Sequence, residues 1–109
     1  MRLTAEFWVR AYLARLRLAA IPAYVRARGD PTAGAVMVVQ APMDGTARLW
    51  GRVPDLLTGE RRWVVLAEGS EAEVEAAVAR QRRADRDLWV VEVEDRQGRH
   101  LLDEEGLAS

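Results

Sequence analysis

Apolar positions recur along this chain with two different periods, and the changes between them mark out its elements. Residues 4–19 predict an amphipathic helix: Leu3 just before it and Phe7, Ala11, Ala14 and Leu18 within it fall at helical spacing. Val9, Leu13 and Leu16 widen that stripe, and Arg10, Arg15 and Arg17 lie off it. Thr4 is a fitting N-cap, Glu6 puts a negative charge in the first turn, and Pro22 cannot continue the ladder of hydrogen bonds. Residues 23–28 alternate instead, with Ala23, Val25 and Ala27 on one side and Tyr24, Arg26 and Arg28 on the other, the pattern of a half-exposed strand. The loop Gly29-Asp30-Pro31-Thr32-Ala33-Gly34 then leads into Ala35-Val36-Met37-Val38-Val39. That unbroken apolar run predicts a central strand over 35–41, buried on both faces. Asp44-Gly45 is a two-residue hairpin signal that pairs it with a strand over 46–52. A loop containing Leu56 and Leu57 separates this from a further strand over 62–67.

Ser70-Glu71-Ala72-Glu73 has the form of a capping box and opens a helix over 71–84. Val74, Ala77 and Val78 form its narrow apolar stripe, with acids at its start and Arg80, Arg82 and Arg83 at its end, as the helix dipole favours. Residues 88–94 predict a strand, Asp95-Arg96-Gln97-Gly98 a turn, and residues 99–102 a short antiparallel return. The acidic stretch beyond Asp103 is expected to fray. The order α-β-β-β-β-α-β-β predicts a single α+β domain over residues 1–109. It has a mainly antiparallel sheet of five to six strands and two packed helices. A mixed sheet with helices on opposite faces is the alternative.

Composition narrows the function classes. A chain of 109 residues is long enough for one unstapled core. With no cysteine, disulfides, thiolate metal sites and thiol nucleophiles are excluded. Arg2, Glu6 and Arg10 interrupt the N-terminal apolar residues, which is wrong for a secretory signal, and no apolar run reaches the length of a membrane span. A cytoplasmic location without membrane insertion is expected. All sixteen basic residues are arginine, which fits the codon usage of a GC-rich genome better than a dedicated oxyanion site. Residues 1–54 carry eight arginines against three acids, a balance of +5. Residues 55–109 carry eight against fourteen, a balance of −6. The halves complement each other within the fold or across a dimer, and the net charge of −1 disfavours nucleic acid as a partner.

Four constellations carry chemical interest. The loop at Gly29, Asp30, Thr32 and Gly34, with Arg26 and Arg28 beside it, is a candidate anion cradle. A nucleoside triphosphate loop would need Lys and Ser or Thr after the second glycine and a helix beyond; Ala35 and a strand stand there instead. A structural connection is therefore favoured, with Asp30 bonding the backbone and Pro31 restricting it. His100, the single histidine, lies opposite Glu94 in the expected hairpin, with Glu92 on the same face. That set could orient an imidazole, but it reads better as a surface cross-strand pair. Trp50 shares a strand face with Arg48 and Arg52 and is the tryptophan to test for partner contact. Leu56 and Leu57 either plug the core edge or mark a protein contact. No catalytic residue, metal or cofactor is expected.

Three segments, Glu6-Phe7-Trp8-Val9, Gly29 to Ala35, and Asp87-Leu88-Trp89-Val90-Val91-Glu92-Val93-Glu94-Asp95, together resemble a small bacterial family, the domain of unknown function 1491. The resemblance runs over almost the whole chain. It implies a small intracellular α/β-type domain and brings no activity, cofactor or catalytic residue with it. Two readings follow. The first is a small cytoplasmic non-enzymatic binding or assembly domain, a homo-oligomer or the binder of a protein partner, using the surface at Trp50 and Arg52 or at Leu56 and Leu57. The second is a small-anion or nucleotide-binding domain, or a minor enzyme, with its site at the glycine loop.

Overall fold

The structure, a computed structural model, describes residues 3–108. Helix α1 (Ala5–Leu18) is followed by β1 (Ala23–Ala27), β2 (Val36–Ala41), β3 (Thr46–Pro54), β4 (Arg61–Ser70), α2 (Glu71–Ala84) and β5 (Trp89–Glu94). The five strands form one sheet in the order β1-β5-β2-β3-β4. Pairing is antiparallel except between β2 and β5, which run parallel. The apolar run at residues 36–41 takes the middle of the sheet, as its patterning predicts.

Neighbouring residues on a strand point to opposite faces, so the core divides in two. Val36, Val38, Trp89, Val91 and Val93 pack with α1, while Val39, Leu49, Leu88 and Val90 pack with α2. The helices therefore lie on opposite faces of a mixed sheet. Helix α2 keeps the expected span, stripe and capping box.

Helix α1 is rotated from its expected orientation. Its buried residues are Ala5, Trp8, Val9, Tyr12 and Leu16, and Phe7 and Leu18 face solvent. Both stripes satisfy helical spacing. The observed one buries Trp8 and Tyr12, whose rings lie 4.9 Å apart, and sets Trp8 5.4 Å from Trp63. Helix α1 also stops before Pro22. Ala20 adopts φ 59°, its N–H donates to Arg17 O, and the N–H of Ile21 donates to Leu16 O. This is a Schellman ending, with Ile21 and Leu16 both buried, and it holds alanine where glycine is usual.

The antiparallel return expected at residues 99–102 does not form. Strand β5 already has β1 on one edge and β2 on the other, so it has no free edge to offer. The turn after β5 is made, with Gly98 N–H bonding Asp95 O, but the chain then crosses the α1 face. Before Asp103, Leu102 is buried and Tyr12 donates to His100 O at 2.7 Å. The tail expected to fray beyond Asp103 is packed instead: Leu107 is buried and its carbonyl accepts from Trp63 at 2.8 Å. His100 packs at a tilt against Trp50 with ring centroids 4.8 Å apart, and its Nδ1 accepts the Leu102 N–H at 3.0 Å.

Two predictions follow from these contacts. Ala20→Gly relieves a left-handed alanine and is expected to stabilise the protein by about 1 kcal/mol in urea denaturation. Burial holds the His100 pKa below its ordinary value, so the folded state favours the neutral ring that accepts from Leu102. A depressed histidine pKa contributes stability at pH above the unfolded value, near 6.5, and that contribution is lost as the pH falls below it. The melting temperature is therefore expected to drop between pH 7.5 and pH 5.5, and His100→Gln is expected to flatten that drop.

Candidate functional site

The glycine loop is a junction between α1 and β5. The Asp30 carboxylate accepts the N–H groups of Thr32 and Ala33 at 3.1 and 2.7 Å, and Asp30 O accepts the Gly34 N–H. The carbonyls of Pro31 and Thr32 accept the first N–H groups of α1, from Glu6 and Ala5, at 2.9 and 3.1 Å. Thr4 Oγ1 accepts the Phe7 N–H, so the loop and the N-cap together satisfy the start of the helix. On its other side, Asp30 N–H donates to Asp87 O, and Trp89 Nε1 donates to Asp30 O at 2.7 Å. Both glycines are required by close approach: a Cβ at Gly29 or at Gly34 would run into the Asp87 carbonyl. The amides from which an anion cradle would be built are thus spent inside the junction.

The two neighbouring arginines part company. Arg26 lies on the α2 face, bonded to the Glu75 carboxylate at 2.6 Å and to Glu92 at 3.2 Å, and the bond to Glu75 raises its pKa. Arg28 sits over the Trp89 ring at 4.9 Å, with Glu6 at 4.0 Å. Glu92 is committed to Arg26 and His100 to Trp50, so the expected grouping of Glu92, Glu94 and His100 is not assembled. Among the described residues, no three His, Asp or Glu side chains converge as metal ligands would.

Trp50 does share its face with Arg48 and Arg52, as its register opposite Val38 requires. It is half-buried, with its indole N–H on Gln40 Oε1 at 2.9 Å and His100 above its ring. Arg52 turns toward the aromatic cluster, its guanidinium carbon 5.0 Å from the Trp8 ring and 5.1 Å from the Trp63 ring. Leu56 and Leu57 plug nothing: they are 98% and 97% exposed at the tip of the β3–β4 connection. That tip is closed by Asp55, whose carboxylate accepts the N–H groups of Leu57 and Thr58 at 2.8 and 3.1 Å.

A cleft of about 700 Å³ gathers groups from separate segments: Thr4 and Trp8 of the α1 end, Thr32 and Gly34 of the loop, Arg52 of β3, and Glu60 before β4. Two of the expected loop residues and one of the expected surface residues thus meet in one cavity, while Arg26, Trp50, Leu56 and Leu57 lie elsewhere. Trp8, which lines the cleft, is not among the expected site residues. Its only sequence signal is an aromatic ring beside charge, Glu6-Phe7-Trp8, and nothing local joins it to Arg52.

The junction predicts its own sensitivity. Gly29→Ala and Gly34→Ala are each expected to cost roughly 1–3 kcal/mol in chemical denaturation, because backbone rather than a flexible side chain must give way.

The model of a protein family of unknown function, DUF1491, matches residues 3–103. No curated protein matches the chain. Two solved structures of a DUF1491 family protein from Caulobacter crescentus CB15 are each 40% identical to it. The NMR structure superposes with TM-score 0.84, covering 95% of this chain and 96% of that one, and the 1.87 Å crystal structure with TM-score 0.87, covering 94% and 97%. The solution structure of protein Atu0922 from A. tumefaciens is 37% identical, with TM-score 0.73 and 86% of each chain covered. Arising from a family match over nearly its whole length and from relatives that share its fold, the conclusion is that the chain belongs to the DUF1491 family.

Proposed function

We propose that this domain is a small cytoplasmic, non-enzymatic assembly module that pairs with a second copy of itself along the open edge of β4. The observation carrying this reading is the edge itself. Strand β4 runs for ten residues and is paired on one side only, by β3. A long strand edge presents a row of backbone donors and acceptors that a second strand satisfies. The opposite edge, β1, has only five residues, so it is the poorer template.

The side chains of β4 favour an antiparallel copy. Arg61 and Arg62 stand at its start and Glu68 near its end. A two-fold axis through the middle of the strand lays the basic end of one copy beside the acidic end of the other, the self-complementarity that a two-fold interface needs. The register shift opposite Leu49 and Trp50 falls at that midpoint and leaves a regular run on each side. Val65 and Leu66, at the same place, are 39% and 40% exposed and supply an apolar centre with a charged rim. Leu56 and Leu57 project from the tip before the strand, outside that centre.

Sedimentation equilibrium is expected to show a concentration-dependent dimer that weakens as salt rises. Val65→Lys places like charges across the axis and is expected to leave a folded monomer. Arg62→Glu and Glu68→Arg are each expected to weaken self-association about tenfold, and mixing the two variants restores a heterodimer in which every cross-pair is again of opposite sign. A protein that stays strictly monomeric at millimolar concentration overturns the proposal, as does dimerisation indifferent to all three substitutions.

A further inference from the structure

Residues 100–108 cross the α1 face without joining the sheet. Among the described residues, the backbone-to-backbone hydrogen bonds of this tail close within it. Glu104 N–H donates to Leu101 O, and the N–H groups of Leu107 and Ala108 donate to Glu104 O. Side chains tie the tail to the rest of the chain. Tyr12 donates to the His100 carbonyl at 2.7 Å, Arg15 to the Glu105 carbonyl at 2.9 Å and Trp63 to the Leu107 carbonyl at 2.8 Å. Leu102 and Leu107 are each 2% exposed and join the core cluster beside α1. Between them lie Asp103, Glu104 and Glu105, with the Glu104 carboxylate 3.6 Å from Arg15.

A peptide is held in the same way. Donors aimed at main-chain carbonyls fix the path of a segment, and pockets for spaced apolar side chains select its sequence. Neither kind of contact depends on the covalent link to β5. The docked tail also holds Leu101 at φ 60°, a left-handed conformation that disfavours leucine.

We propose that the tail is a displaceable occupant of a peptide groove on the α1 face, and that the groove takes a segment of a partner protein with two leucines five positions apart and carboxylates between them. Tyr12 and Arg15 of α1 and Trp63 of β4 are its donors. The partner's chemistry is read from the occupant, Leu102-Asp103-Glu104-Glu105-Gly106-Leu107. Gly106 also lines the cleft of about 700 Å³, so groove and cleft are continuous. Being tethered gives the tail an effective concentration on the order of millimolar. A partner segment that fills groove and cleft together buries more surface than the tail, which offsets that advantage. The tail of a second copy makes only the contacts that the tethered tail already makes, so it gains nothing by exchange.

The test uses the full chain labelled with ¹³C and ¹⁵N, and its probe is a synthetic peptide of residues 99–108. Leu107→Ser loosens the tail of the protein while leaving the three donors in place. In this variant the peptide is expected to move the Trp63 indole signal and the Tyr12 and Leu16 amides saturably. The full chain without the substitution is expected to bind it about tenfold more weakly, because its own tail competes. A control peptide with serine at both leucine positions is expected to bind the variant about tenfold more weakly than the probe. No saturable movement in Leu107→Ser overturns the proposal, as does equal binding of the control. Shifts confined to Val65 and Leu66, with Tyr12 and Leu16 unmoved, mean pairing along the β4 edge and also overturn it. Hydrogen exchange of the unsubstituted chain covers the case in which the variant does not fold. The Leu102 and Leu107 amides are expected to exchange about a hundredfold faster than those of Val91 and Val93, because the tail opens on its own. Protection equal to that of β5 means that the tail leaves only when the whole domain unfolds, and overturns the proposal.

Discussion

Strand β5 is hydrogen-bonded along both edges, antiparallel to β1 and parallel to β2, while Trp89, Val91 and Val93 on one face and Val90 on the other are buried. A six-residue strand cannot be more fully used, and the rest of the architecture accommodates it. It enters the sheet after α2 has carried the chain back across one face, which makes its pairing with β2 parallel and places the two helices on opposite faces. The carbonyl of Asp87, just before β5, meets the loop at residues 29–34 so closely that both ends of that loop must be glycine. The same loop satisfies the start of the first helix with its carbonyls, and Ala35 O accepts the Trp89 N–H, so α1, β2 and β5 are tied at one junction.

The end of the chain follows from the same constraint. With both edges of β5 taken, the segment after the Asp95 turn has only a face on which to lie, and the α1 face has room beside the helix. There it brings a carbonyl to Tyr12 and another to Trp63, and a ring to Trp50. The tail, α1 and β3–β4 thereby share one aromatic cluster in which Arg52 lies between Trp8 and Trp63. The cleft at the edge of this cluster results from how three separate segments meet. The start of α1, the end of the β3–β4 connection, Arg52 and the glycine loop line it.

The glycine loop illustrates how a site can be partly legible. Its composition correctly indicated a strand connection with Asp30 bonding the backbone, and it drew attention to Thr32 and Gly34, which do line the cleft. The arginine beside them could not be chosen from sequence. Arg26 and Arg28 stand two positions apart, yet across the register irregularity at Val25–Ala27 they serve opposite faces of the sheet, Arg26 with Glu75 and Glu92 and Arg28 over Trp89. Arg52, eighteen positions beyond Gly34, is the one that reaches the cleft, because its place on β3 turns it toward α1. Likewise His100 and Glu94 were matched through a hairpin that another strand had already displaced.

The sequence by itself determined the local elements: the capped start and span of α2, the central character of β2, the β2–β3 antiparallel pair, and the apolar faces of β5. Each rests on interactions within a few residues, such as a serine oxygen and a glutamate reaching neighbouring amides, or side chains alternating along a pleated strand. Only the tertiary structure decided which of two equally periodic faces α1 buries, which strands flank β5, where the tail runs, and which arginine meets which tryptophan. Side-chain periodicity specifies the faces of a strand or helix. The backbone edge of a strand is nearly the same for every residue, so the choice of its neighbour is made by the packing of the whole chain.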